Sequence, residues 1–176
     1  MSRHDRFGTR NTVARTLNDL GLATWFGGSL MGAVGLNGAA ASADRPQQVA
    51  RAGWRRWSVV NALAVTAYAA GALVVTKDNK GRILAQRGVA PTAAAKAALT
   101  GAALAATFYA DVLGRRLAAS EADGSVDDGA RRRMAVVQWT VPLLTGGALV
   151  ADSQLSEQQR PLQALGGVLE RLNPAA

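Results

Sequence analysis

Charged residues are swept out of long windows of this chain and gathered between them. The clearest window runs from Trp57 to Thr76, twenty residues without a charge. Eighteen more run from Met134 to Ala151, with Arg131, Arg132 and Arg133 before them and Asp152 after them. Roughly 20 apolar residues are what an α-helix needs to cross a hydrocarbon core about 30 Å thick. A helix packed on the outside of a soluble domain would show a polar stripe instead. Two weaker windows complete the pattern. One is 17–41, LNDLGLATWFGGSLMGAVGLNGAAA, with Asp19 near its start and Asn37 near its end. The other is 94–113, with Lys96 and Asp111 close to its two ends. The pattern predicts an all-α fold: an integral membrane four-helix bundle over residues 17–151, with spans at about 17–41, 57–76, 94–113 and 134–151.

The segments between and beyond the windows are polar. Residues 1–16 carry Arg3, Arg6, Arg10 and Arg15 against Asp5 alone and read as a basic tail. In the linker 42–56 and its junction with the second span, Trp54 and Trp57 bracket Arg55 and Arg56, the composition of an interfacial anchor. Residues 83–90 fit a brief interfacial element, and Pro91 suits the opening of the third helix. Glu121, Asp123, Asp127 and Asp128 precede three arginines in a stretch, 118–133, that reads as a solvated loop and lacks EF-hand spacing. Pro142 predicts a kink in the fourth span. In the tail 152–176, Leu162, Leu165, Val168, Leu169 and Leu172 share one face of a short amphipathic helix. The basic amino terminus leads into an apolar run with no processing site near Ala41, so retention as an anchor is expected.

Composition narrows the chemistry. Twenty Lys and Arg against twelve Asp and Glu give a net charge of +8. Most of the basic residues flank apolar runs, where anionic headgroups would meet them. No nucleic-acid motif accompanies them, so membrane lipids, not nucleic acid, are the expected partners. Cysteine is absent and His4 is the sole histidine, which removes disulfides, iron–sulfur clusters and a bis-histidine haem. No metal-ligand spacing, HExxH, P-loop or nucleophile–base arrangement occurs. No catalytic residue, metal or cofactor is therefore assigned, and the chain is expected not to be an enzyme. With four spans, eleven Lys and Arg fall on the side bearing the termini and nine on the other. The positive-inside rule then places both termini in the cytoplasm.

What remains is packing and polarity. Gly28 and Gly32 form a GxxxG pair, which lets a neighbouring backbone approach closely in lipid. In the third span Ala98, Ala102 and their repeats at Ala94, Ala106 and Ala110 make one small-residue row, and Ala97, Gly101 and Ala105 make another. Threading the helices alternately puts Asp19 and Lys96 at one boundary, either paired or each snorkelling to the headgroups. Asn37, Asn61, Asp111 and Gln138 fall together at the other, as interhelical hydrogen bonds or as a vestibule for a small polar molecule, a quinone or a lipid head. The stretches AAASADRP at 39–46 and DGARRR at 128–133, with the alanine-rich third span, resemble in composition small four-pass membrane proteins of high-GC actinobacteria. That resemblance implies a bacterial inner-membrane protein and transfers no residue role. The small-residue surfaces favour a non-catalytic accessory subunit bound to partner subunits of a larger membrane complex. The alternative is a small oligomeric transporter or channel.

Overall fold

A computed structural model describes residues 3–85 and 89–157, with side chains at 12–77 and 90–157. The predicted amphipathic segment at 162–172 lies outside the described residues. Helix α1 (Arg3–Met31) continues through a π-helical segment, Gly32–Leu36, into α2 (Asn37–Ala41), and the three make one rod. Then follow α3 (Pro46–Ala85), α4 (Val89–Ala122) and α5 (Asp128–Glu157). The four rods form an all-α bundle.

The helices overrun the charge-free windows. The 40 residues of α3 span about 60 Å at 1.5 Å per residue, twice the bilayer core. Residues 1–16, read as a tail, are helical from Arg3, and the linker 42–56 is helical from Pro46. Of the interfacial element expected at 83–90, the described residues 83–85 end α3 and 89–90 open α4. The loop expected at 118–133 shrinks to the residues between Ala122 and Asp128. A charge ends an apolar span but not an α-helix, because Lys, Arg and Glu are good helix formers. Backbone chemistry sets the real ends. Pro46 is the first residue of α3, where its missing N–H is not needed. Gly124, at φ 67°, takes the left-handed turn after α4, and the Asp127 carboxylate accepts from the Ala130 N–H at 2.8 Å to cap α5. Pro142 sits buried inside α5 without ending it.

Among the described residues, three helical stretches are long and apolar enough to cross a membrane: Pro46–Lys77, Ala90–Ala122 and Asp128–Glu157. The protein is a multi-pass membrane bundle on that basis. The first rod falls short of the same standard, since Asn18, Asp19, Thr24 and Ser29 interrupt it. It is nevertheless matched antiparallel to α3 along its length. A Cβ added at Gly21 would lie 2.5 Å from the Tyr68 backbone nitrogen and 2.6 Å from the Ala64 carbonyl oxygen. One added at Gly71 would run into the Ala14 carbonyl and lie 2.5 Å from the Asn18 nitrogen. Each helix thus presents a glycine to the other's backbone, an approach that only a missing side chain allows.

The helix pairs α1/α3 and α4/α5 are the most closely packed, α1 and α5 join them, and α3 barely touches α4. Leu22, Trp25, Ala103 and Ala148 are fully buried at the centre, with Tyr68 and Val141. A second cluster of Leu113, Ala130 and Val137 continues the α4/α5 contact toward the Gly124 turn.

The glycine contacts generate a prediction. Gly21→Leu or Gly71→Leu must push α1 and α3 apart, and overpacking of this kind costs about 1–3 kcal/mol or more. Each should lower the unfolding temperature in detergent clearly, whereas Gly101→Leu, with open space around its Cβ position, should not. Equal behaviour of the three variants would contradict the packing.

Candidate functional site

Polar side chains gather at both ends of the bundle, and the two gatherings differ in kind. At the end nearest the chain termini, Lys96 of α4 reaches Asp152 of α5 at 2.6 Å. Its Nζ also donates to the Asn18 Oδ1 of α1 at 3.4 Å and stands 5.6 Å from the centre of the Tyr68 ring. Asn18, itself buried, donates to the Tyr68 carbonyl at 3.4 Å. One ammonium therefore ties all four rods together. The sequence placed Asp19 opposite Lys96, but Asp19 is exposed and one position round the helix from the cluster. Asp152, 56 residues from Lys96 in sequence, takes that place. The Lys96 and Asp152 side chains keep only 15% and 22% of their exposure, so breaking the pair leaves an ill-hydrated charge.

Above this layer, two hydrogen bonds cross from the first two rods to α4. The Tyr68 hydroxyl meets Thr100 Oγ1 at 2.7 Å, and the Trp25 indole donates to Thr107 Oγ1 at 3.3 Å.

At the opposite end, Asn37 and Gln138 do meet. Asn37 Nδ2 donates to Gln138 Oε1 at 2.8 Å, and Asn37 Oδ1 accepts from the Trp54 indole at 3.1 Å. Asp111 is exposed at the edge of the cleft between α3 and α4 and pairs with Arg115 on its own helix, not with Asn37 or Gln138. Asn61 has no hydrogen-bond partner among the described residues, and its Oδ1 is shielded from water. Gly28 and Gly32 do face α3, yet they receive indole rings, Trp57 at Gly28 and Trp54 at Gly32, and not a backbone. The GxxxG spacing was read without the two tryptophans that fill it.

Trp54, Trp57 and Asn61 belong to a half-open cleft of about 540 Å³. Such a volume falls within the ~300–1,000 Å³ of small-molecule sites, which are mostly apolar with a few placed polar groups. The cleft exists because α3 and α4 splay while α1 and α5 close its back, with Trp25 and Val141 in its depth. Across its mouth Arg51 of α3 pairs with Glu121 of α4, and Arg55 and Arg115 stand beside them. Nothing in the spacing pointed to this pairing, which depends on how two helices from different hairpins splay.

The small-residue rows predicted on α4 are split: Ala106 and Ala110 pack inward and the others do not. Ala98, Gly101, Ala102 and Ala105 are all exposed. The inward face of α4 is made by Leu99, Ala103, Ala106, Ala110 and Leu113. Among the described residues no group of three or more His, Asp or Glu is placed to hold a metal. Comparison with protein families, curated proteins and solved structures gave no match, so the chemistry is read from this chain alone.

The Lys96 cluster has a direct consequence. Lys96→Met and Asp152→Asn should each destabilise the bundle, and the double variant should lose less than the sum of the two, with a coupling on the order of 1 kcal/mol in a double-mutant cycle. Asp19→Asn should change little. Strictly additive effects at 96 and 152 would show that the pair does not hold the helices.

Proposed function

We propose that the protein is a non-catalytic accessory component of a larger bacterial membrane complex and acts by lateral association in the bilayer. The observation that carries this reading is the outer face of α4. Ala94, Ala98, Gly101, Ala102 and Ala105 lie exposed there on a helix with one close neighbour, α5. In lipid, helices associate by packing, and a smooth small-residue face permits it where a face of large side chains resists it. Leu104 and Phe108, exposed beside the row, would frame a partner helix.

A transporter is the second reading, and the cleft is what favours it. The layer of Trp25, Leu22, Tyr68 and Ala103 below the cleft is closely packed, however, and the Lys96–Asp152 pair lies beyond it. A transported substrate would need a path through both. The sequence offers no nucleophile–base arrangement to support an enzymatic reading.

Gentle purification through a tag on this chain tests the proposal. A larger membrane protein should be recovered stoichiometrically, and Gly101→Leu combined with Ala105→Leu should abolish its recovery while the bundle still folds. Recovery of homo-oligomers alone, with substrate flux in liposomes, would overturn the accessory role in favour of transport.

A further inference from the structure

We infer that the cleft between α3 and α4 binds an anionic phospholipid, taking one acyl chain between the helices and holding the phosphate at Arg55. Four observations converge on this occupant, and none involves the outer face of α4.

The first is position. The apolar run of α3 begins at Trp57, so Arg51, Trp54 and Arg55 stand at headgroup depth, where Trp and Arg anchor helices. The cleft continues from that level into the apolar zone, as far as Trp25 and Val141.

The second is access. Three sides of the bundle are closed by helix contacts, and the remaining side, between α3 and α4, is where the cleft lies. A gap of this kind in a bilayer meets acyl chains before any aqueous solute. Its mostly apolar wall and volume of about 540 Å³ suit one chain and not a whole diacyl lipid.

The third is charge. Three arginines, Arg51, Arg55 and Arg115, line the cleft against two carboxylates, Asp111 and Glu121. Arg51 is taken by Glu121 and Arg115 by Asp111. Arg55 has no acidic partner among the described residues and is free to meet a phosphate, for which its guanidinium is well shaped.

The fourth is Asn61. Its side chain lines the cleft one turn of α3, about 6 Å, inside Trp57, and no described group hydrogen-bonds to it. Only its Oδ1 is shielded, which leaves the amide N–H groups to the cleft. An amide donor about 9 Å along α3 from Arg55 can meet the ester carbonyl of a glycerophospholipid whose phosphate that arginine holds, and this pairing satisfies the N–H groups in an apolar wall while the Oδ1 acceptor stays unmet. Arg51 and Glu121, bridged across the mouth, close over the bound chain.

The probe is phosphatidylglycerol with a dibrominated acyl chain, set against the same chains on phosphatidylcholine, in nanodiscs. Bromine quenches nearby indoles, and Trp25, Trp54 and Trp57 all line the cleft. The exposed Trp139 is first replaced by Phe. Phosphatidylglycerol should quench at about fivefold lower mole fraction than phosphatidylcholine, the ratio that ~1 kcal/mol for one basic side chain corresponds to. Arg55→Gln should abolish that preference, whereas Arg131→Gln, which removes a basic residue outside the cleft, should leave it. Asn61→Leu should weaken quenching by both lipids. Equal quenching by the two lipids in the unaltered protein would overturn the proposal and mark the contact as ordinary annular lipid. So would a preference that survives Arg55→Gln, since Arg55 lies on the rim and its loss does not disturb the core.

Discussion

The backbone-to-backbone contact of α1 with α3 is the constraint on which the rest of the bundle depends. It is made twice, by Gly21 against Ala64 and Tyr68 and by Gly71 against Ala14 and Asn18. Any side chain at either glycine would separate the rods, and dispersion forces fall steeply with such a gap. This contact sets the level of the whole first rod. It brings Trp57 to Gly28 and Trp54 to Gly32, and it delivers Asn18 to the Lys96 cluster. It also accounts for a rod that is not apolar enough to be counted as a membrane span by its own residues. In lipid a helix is held by its neighbours as well as by its hydropathy, and three polar groups of the first rod are spent on them: Asn18 on Tyr68, the Trp25 indole on Thr107 and Asn37 on Gln138.

The two ends of the bundle follow from where this contact is tight. Toward the chain termini the rods converge on Lys96 and are cross-linked by its ion pair. Toward the Gly124 turn, the bulk of Trp54 and Trp57 is interposed against α1, and α3 and α4 diverge around the cleft. One end is closed and the other is partly open.

Much of the fold was legible in the sequence because it rests on properties of single segments. Windows poor in charge give the number of long helices. The polar end at Asn37 and Gln138 could be read by counting residues along alternating helices, since depth is additive in residue number. What was illegible depends on rotation about the helix axis. Gly101 and Ala105 lie in a row as regular as any on α4, yet Ala103, between them in sequence, is the residue that turns inward. Asp19 and Asn18 share a depth, and a difference of one position, about 100° of rotation, gives Asn18 the contact with Lys96. Gly21 and Gly71 carry no motif, because each is a lone glycine whose meaning comes from the opposite helix. The cleft was legible only in part: Asn61, Asp111 and Gln138, read together as a vestibule, do line it, but the gap between α3 and α4 and its apolar depth are encoded by no single segment.

The central claim is that the first rod lies within the bilayer alongside α3, despite its polar residues. Spin labels at Thr24→Cys and Leu63→Cys test it most directly, because the unaltered chain has no cysteine and both side chains face outward at matching levels. Their depth follows from relative accessibility to oxygen and to a water-soluble nickel chelate in liposomes. The account predicts that both labels are oxygen-accessible, shielded from nickel and equally deep, with a label at Ser125→Cys in water. A nickel-accessible label at 24, with the label at 63 deep, would place the first rod outside the membrane and contradict the account.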